Sequence, residues 1–246
     1  TPRKEDDIPQ IKTGLFNGKT TGAPITIIFE NKNTRSSDYE KLRAVPRPGH
    51  ADFVATKKFG GNEDYRGSGH FSGRLTVCLV AAGVIAKRLL LTSTKGGGII
   101  VQSYISEIGG EKDLDKGLQK AFDAKDSVGG IVECKVSGLP VGLGEPFFDS
   151  AESLISHAVF AIPAVRGVEF GTGFAAARMF GSDHNDSIED KTGKTFTNHA
   201  GGIVGGLTNG NELLFRIAVK PTSSTPKEQQ TLNTETDNVE AFSVKG

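Results

Sequence analysis

The run from Ser72 to Leu91, SGRLTVCLVAAGVIAKRLLL, constrains this chain more than any other feature, because it is apolar nearly all round over the length of a helix. A helix with no polar face has to be covered on every side, so the pattern predicts a helix buried between layers at the centre of the fold. Its most apolar part, Leu75 to Ala86, contains Thr76 and Gly83 and runs into Lys87 and Arg88. That stretch reads as too short to span a bilayer, and nothing else suggests a membrane or secretory segment. A chain of 246 residues is long enough to bury such a helix in one compact domain, two at most, without disulfides or metals.

The remaining elements follow from shorter patterns. Ala23 to Glu30 (APITIIFE) is β-branched and apolar after a turn-like Gly18 to Gly22, and reads as a strand. Ile131 to Val136 puts Val132, Cys134 and Val136 on one face, and Leu213 to Val219 does the same with Leu213, Phe215, Ile217 and Val219, so both predict half-buried strands. Arg216 and Lys220 share the opposite face of the second. Asp113 to Lys125 carries Leu114, Leu118, Ala121 and Phe122 at helical spacing, and Asp149 to Ile162 repeats that pattern. The phrases Gly129-Gly130-Ile131-Val132 and Gly201-Gly202-Ile203-Val204 hint at a duplicated unit. Asn31 to Pro48 lacks periodicity and reads as a loop whose Arg35, Arg43 and Arg47 suit an anion, and Thr222 to Glu240 is polar enough for a long loop.

Charge and cysteine content remove several functions. Lys and Arg number 29 and so do Asp and Glu, so no global field draws the chain toward nucleic acid or a membrane. Cys78 and Cys134 each sit in an apolar stretch with no second thiol or histidine at metal-ligand spacing, which excludes a metal centre and a disulfide scaffold and fits a reducing cytoplasm.

Four clusters carry the candidate chemistry. Arg47-Pro48-Gly49-His50-Ala51-Asp52 followed by Tyr65 to Arg74 (YRGSGHFSGR) combines glycines that let a ligand approach, arginines that fork onto phosphate or carboxylate, and histidines that exchange protons near neutral pH. Phe180 to Asp186 (FGSDHND) mixes carboxylates, an amide and a histidine. Asn198 to Gly206 (NHAGGIVGG) and Lys220-Pro221-Thr222-Ser223-Ser224 offer backbone amides, hydroxyls and an ammonium to a phosphate. No GxxxxGK[ST] occurs, and GSGHFSG has the wrong spacing for a dinucleotide fingerprint, so an anion site here is built differently. The bland alternatives are a helix-capping or packed His50, a flexible glycine loop, and an Asx-rich turn. Residues alone lead to an enzyme that binds a small phosphorylated molecule.

At these clusters, and through Arg35-Ser36-Ser37-Asp38-Tyr39, Gly142-Leu143-Gly144-Glu145-Pro146 and Gly167-Val168-Glu169-Phe170-Gly171, the chain resembles the chorismate synthase family, collinearly over almost its whole length. The resemblance implies a single domain over residues 1–246, with an α+β fold in which antiparallel sheets form a β-α-β sandwich around central helices with pseudo-twofold symmetry. It also implies a homotetramer, and a 1,4-anti elimination of phosphate from 5-enolpyruvylshikimate 3-phosphate that requires reduced FMN without net oxidation. An external flavin reductase or other source of reduced FMN would be the functional partner, since no reductase region accompanies the match.

The same resemblance implies the site. His50 matches the histidine that holds the reduced flavin near N1 and the C2 carbonyl, and Ser72 the serine near flavin N5. Arg47 and Arg74 match arginines that grip substrate anions. His70, Phe71, Ser72, Pro163, Ala164, Gly205, Lys220, Pro221, Thr222, Ser223 and Ser224 match cofactor-contact positions, although HFSGR stands where many relatives read RSSAR. The family's GESHG segment would precede Thr1 and its RHDPC segment would follow Gly246. Without those segments the expectation is an inactive fragment with weak flavin affinity, and a non-catalytic phosphate- or flavin-binding protein is the alternative reading.

Overall fold

The computed structural model describes residues 5–32, 39–92 and 98–244, and the chain divides into two compact units, Thr1–Val84 with Ser223–Gly246, and Ile85–Thr222. In the first unit, strand β1 (Gln10–Thr13) pairs antiparallel with β4 (Thr26–Ile28), and β2 (Leu15–Phe16) forms a small hairpin with β3 (Lys19–Thr20). Helices α1 (Lys41–Ala44) and α2 (Asp52–Phe59) follow. The strand expected at Ala23–Glu30 is therefore present but reduced to its β-branched centre.

Helix α3 (Thr76–Thr92) starts in the first unit and ends in the second. It corrects two expectations. None of its residues is buried, and Val80 and Val84 are each 65% exposed, whereas the all-round apolar pattern predicts full burial. Composition determines that such a helix needs cover, not that this chain provides it. Only toward its C-terminal end does Leu90 pack on the core of the second unit. Together with the short helical turn before it, the segment Gly73–Thr92 is 20 residues long and contains an 18-residue window of mean hydropathy 1.9, so length and composition alone would let it cross a membrane. The helix continues past Lys87 and Arg88 because lysine and arginine are good helix formers.

The second unit is built on a four-stranded antiparallel sheet of β5 (Ile100–Ile108), β6 (Gly130–Ser137), β10 (Leu213–Val219) and β7 (Val165–Phe170), in that spatial order. The period-two patterns become register: Phe215 faces Cys134 and Phe170, and Ile217 faces Val132 and Val168. On the other face Arg216 lies between Glu133 and Glu169, with its Nε 3.1 Å from Glu169 Oε1. Both cysteines are free, and burial pushes the Cys134 thiol up from its ordinary value.

Helix α4 (Leu114–Ala124) is capped by Asp113, whose carboxylate accepts from Lys116 N at 3.3 Å, and α5 (Ala151–Val159) by Ser150, which accepts from Ser153 N at 3.1 Å. Both predicted amphipathic helices are present. The short helix α6 (Gly181–His184) precedes a hairpin of β8 (Ile203–Val204) and β9 (Leu207–Thr208), which turns at Gly205 and Gly206 with φ of 63° and 86°. Positive φ at both turn positions is what a tight two-residue hairpin demands. Of the two Gly-Gly phrases, the first thus opens a long sheet strand and the second a two-residue strand, so they do not lead the same local structure. Back in the first unit, β11 (Gln229–Asn233) and β12 (Asn238–Phe242) form a hairpin where a long loop was expected. Its turn is closed by Asn233, whose side-chain oxygen accepts from Glu235 N and Thr236 N at 3.0 and 3.3 Å. Cross-strand pairing thus overrides the polar composition.

The core of the second unit gathers Ile99, Val136, Ala151, Ile203 and Leu213. Leu213 is 2% exposed, and its truncation to alanine is expected to cost about 3 kcal/mol, read as a lower urea midpoint at unchanged slope. A cost below about 1 kcal/mol would move the centre of this core elsewhere.

Candidate functional site

In the first unit the turn Pro48-Gly49-His50 delivers the chain into α2, with His50 N donating to Arg47 O at 3.2 Å. Asp52, the first residue of α2, gathers both neighbours. Arg47 reaches it in a bidentate fork, Nε to Oδ2 and Nη2 to Oδ1, each 2.8 Å, and the Arg47 backbone N–H adds a third bond at 3.1 Å. His50 Nδ1 lies 2.7 Å from Asp52 Oδ1. Arg47 Nη2 lies 3.0 Å from His50 Nδ1 and 3.3 Å from Nε2, so the guanidinium stands against both ring nitrogens. Burial alone would raise the Asp52 carboxyl, but hydrogen bonds and charge from Arg47 and His50 outweigh it and hold the group well below the usual carboxylate range.

Arg47 also donates from Nη2 to Ser68 Oγ at 2.9 Å, while Nη1 reaches Ser224 Oγ only at 3.5 Å. Ser68 sits at φ 67°, a left-handed conformation that is strained for a residue with a side chain, and the bond to Arg47 helps to hold it there. A Cβ at the neighbouring Gly69 would stand 2.2 Å from Asp64 O, so only glycine fits. Ser223 Oγ donates to Gly49 O at 3.0 Å, tying Ser223 to the turn before α2 within the first unit.

Ser72 caps the next turn, its Oγ accepting from Arg74 N at 3.3 Å. Arg74 pairs with Asp7 and donates to Glu30 O at 3.4 Å, while its buried Nε makes no hydrogen bond among the described residues. His70 and Phe71 are exposed. Arg43 lies 4.9 Å from the Tyr65 ring centre. Arg35 and the Ser36-Ser37-Asp38 segment lie outside the described residues.

In the second unit, Ala164 takes φ 71° and its carbonyl accepts from Lys220 N at 2.9 Å, which brings two predicted positions together, with Pro163 exposed beside them. Thr222 O accepts from Ser127 Oγ at 2.8 Å, and exposed Pro221 approaches Gly129, where a Cβ would come 3.1 Å from Pro221 Cδ. Gly205 lies at the exposed β8–β9 turn with open space where a side chain would be. The predicted run Lys220 to Ser224 is divided, with Lys220, Pro221 and Thr222 in this unit and Ser223 and Ser224 in the other.

The sequence reading left two organising carboxylates without a role. Asp52 was legible as an acid two residues after His50 at a helix start, but its hold on Arg47 was not. Asp186, in the second cluster, bonds to His199 and Ala200 of the third and to Thr197 just before it.

A family model described as chorismate synthase matches residues 1–246, the whole chain. The chain belongs to the chorismate synthase family. It is 70% identical to the chorismate synthase of Chitinophaga pinensis over 246 residues, covering all of this chain and 73% of that protein. Against the chorismate synthase of Thermococcus kodakarensis the identity is 45% over 258 residues, covering 95% of this chain and 72% of that one. A crystal structure of chorismate synthase superposes with a TM-score of 0.69 at 26% identity, covering 87% of this chain and 70% of that chain. The mixed fold with antiparallel sheets is thus the chorismate synthase fold.

The depressed Asp52 group makes a pH prediction. A carboxyl held below its unfolded value stabilises the fold above about pH 4 and loses that contribution as pH falls toward the folded value. Asp52→Asn is therefore expected to lower the urea midpoint at pH 7, and the gap to wild type to narrow as the pH drops below about 4. A gap constant with pH would show that Asp52 acts through shape rather than charge.

Proposed function

We propose that this chorismate synthase family member is a lyase converting 5-enolpyruvylshikimate 3-phosphate to chorismate and inorganic phosphate by 1,4-anti elimination, with reduced FMN as cofactor. The Arg47–Asp52–His50 network is the observation that carries the reading. It sets a histidine held by a carboxylate beside an arginine with donors to spare, a combination suited to a flavin edge and an anionic substrate.

The residues present fit the cofactor by their chemistry. Lys220, Thr222, Ser223 and Ser224 supply an ammonium and hydroxyls suited to its phosphate, and the open space at Gly205 and the exposed Pro163 beside half-buried Ala164 suit flat backbone approach. Ser72, with His70 and Phe71 beside it, would contact the ring system. When bound, reduced FMN supplies transient electron density to the substrate ring.

The chain's own residues have four tasks. Arg47 Nη1, with only a 3.5 Å contact to Ser224, keeps its donors for a substrate anion, and the buried Nε of Arg74, without a hydrogen bond among the described residues, supports that guanidinium as a second anion contact. His50 would hydrogen bond to the cofactor edge, and Asp52 would stabilise positive charge on the imidazole. Ser72 Oγ takes part in moving the proton released from the substrate carbon. As the C–O bond to phosphate breaks and that C–H bond gives up its proton, a new ring double bond forms and no net oxidation occurs.

The protein works in the cytoplasm as a homotetramer, taking reduced FMN from an external flavin reductase or other source, with no nucleic acid or membrane partner. Two features support assembly: the uncovered α3 surface and, in the second unit, Phe147 and Phe148 at 88% and 93% exposure. Apolar surface on that scale is what a partner subunit covers.

The test is an anaerobic assay of the full-length protein with photoreduced FMN, following phosphate release and chorismate absorbance together. Both should appear in step and only with reduced flavin, and His50→Ala should slow them at least about 100-fold while the protein stays folded. Phosphate release that ignores the flavin's redox state would sink the proposal.

A further inference from the structure

Asp186 follows α6 and is half-buried. Its Oδ1 accepts from Thr197 Oγ1 at 2.6 Å and from His199 N at 2.7 Å, and its Oδ2 accepts from Ala200 N at 2.8 Å. Two successive backbone N–H groups and a hydroxyl thus converge on one carboxylate, an arrangement that needs the ionised form. Burial would raise this carboxyl, but those three donors outweigh it and keep the group below its ordinary value.

The segment gripped in this way is fixed from its other side by the sheet. His199 O accepts from both the N–H and the hydroxyl of Thr172, each at 2.8 Å. A Cβ at Gly171 would stand 2.0 Å from that same carbonyl, so the approach is as close as backbone allows. Leu214 N donates to Gly201 O and Asn209 N to Gly202 O, both at 3.0 Å, which seats the following glycines beside β10. Three residues further on comes the turn at Gly205. The His184 ring lies 5.8 Å from the His199 ring and adds a contact, but among the described residues Asp186 is the side chain that takes up the backbone N–H groups of His199 and Ala200.

We propose that Asp186 is a positioning residue: its carboxylate fixes the backbone from Thr197 to Ala200 and, through it, the turn that carries Gly205. The link to the cofactor rests on the reading above that Gly205 contacts FMN.

Asp186→Ala and Asp186→Asn in the full-length protein test this by hydrogen exchange and by FMN affinity from fluorescence quenching. Asp186→Ala is expected to speed amide exchange about tenfold across residues 197–206 while leaving strands β7 and β10 unchanged, and to weaken FMN binding about tenfold. Asp186→Asn keeps one oxygen for Thr197 and His199 and should fall between wild type and Asp186→Ala on both readouts. Exchange in 197–206 within about twofold of wild type would overturn the proposal, and faster exchange with unchanged FMN affinity would overturn its link to Gly205. If Asp186→Ala loses protection in β7 and β10 as well, Asp186→Asn is judged by the same criteria. A wild-type protein that binds no FMN would instead defeat the cofactor reading, and the exchange result would then decide the loop-holding role by itself.

Discussion

Strand β10 is the reference for the whole second unit, because both of its edges are hydrogen bonded and both of its ends lead to candidate ligand segments. Its antiparallel pairing with β6 and β7 places Phe215 and Ile217 between apolar partners on one face and Arg216 between two glutamates on the other. At its start, Leu214 receives the Gly201 segment, and just past its end, Lys220 bonds back to Ala164. A one-residue slip would exchange the two faces and disturb both attachments, so the register that buries the core also positions the chemistry.

The same logic recurs in smaller form at two carboxylates. Asp52 gathers an arginine and a histidine, and Asp186 gathers two backbone amides and a hydroxyl. In each case hydrogen bonds to the ionised oxygen outweigh the cost of burying it, and the carboxyl is held below its ordinary value. The consequence is that the groups suited to meet a ligand are held by acids with no assigned contact of their own. Losing either acid would free the residues it orients without removing any of them.

Much of the secondary structure was legible from pattern. The alternation in Leu213–Val219 gave the strand to the residue, and the helical spacing of Leu114, Leu118, Ala121 and Phe122 gave α4. Pattern failed where pairing with a distant segment decides. Gln229–Asn233 and Asn238–Phe242 are polar, yet their mutual hydrogen bonds make a hairpin, and Ile203–Val204 shares a phrase with β6 but is only two residues long. The candidate site was legible as clusters of residue types, and the collinear clusters identified the family. Which members of a cluster touch was not legible, because Asp52 reaches Arg47 and Asp186 reaches His199 through turns whose path depends on the rest of the fold.

By itself the sequence determined the types of element, the demand of the Ser72–Leu91 run for apolar cover, the absence of any global charge bias, and the family. These are local or summed properties, and neighbours along the chain suffice to set them. Only the tertiary structure decided that α3 is left largely uncovered, that Ser68 takes a left-handed backbone beside Arg47, and that the second and third clusters meet at Asp186. Each of these depends on groups far apart in sequence arriving within hydrogen-bonding or van der Waals distance, which no local pattern encodes.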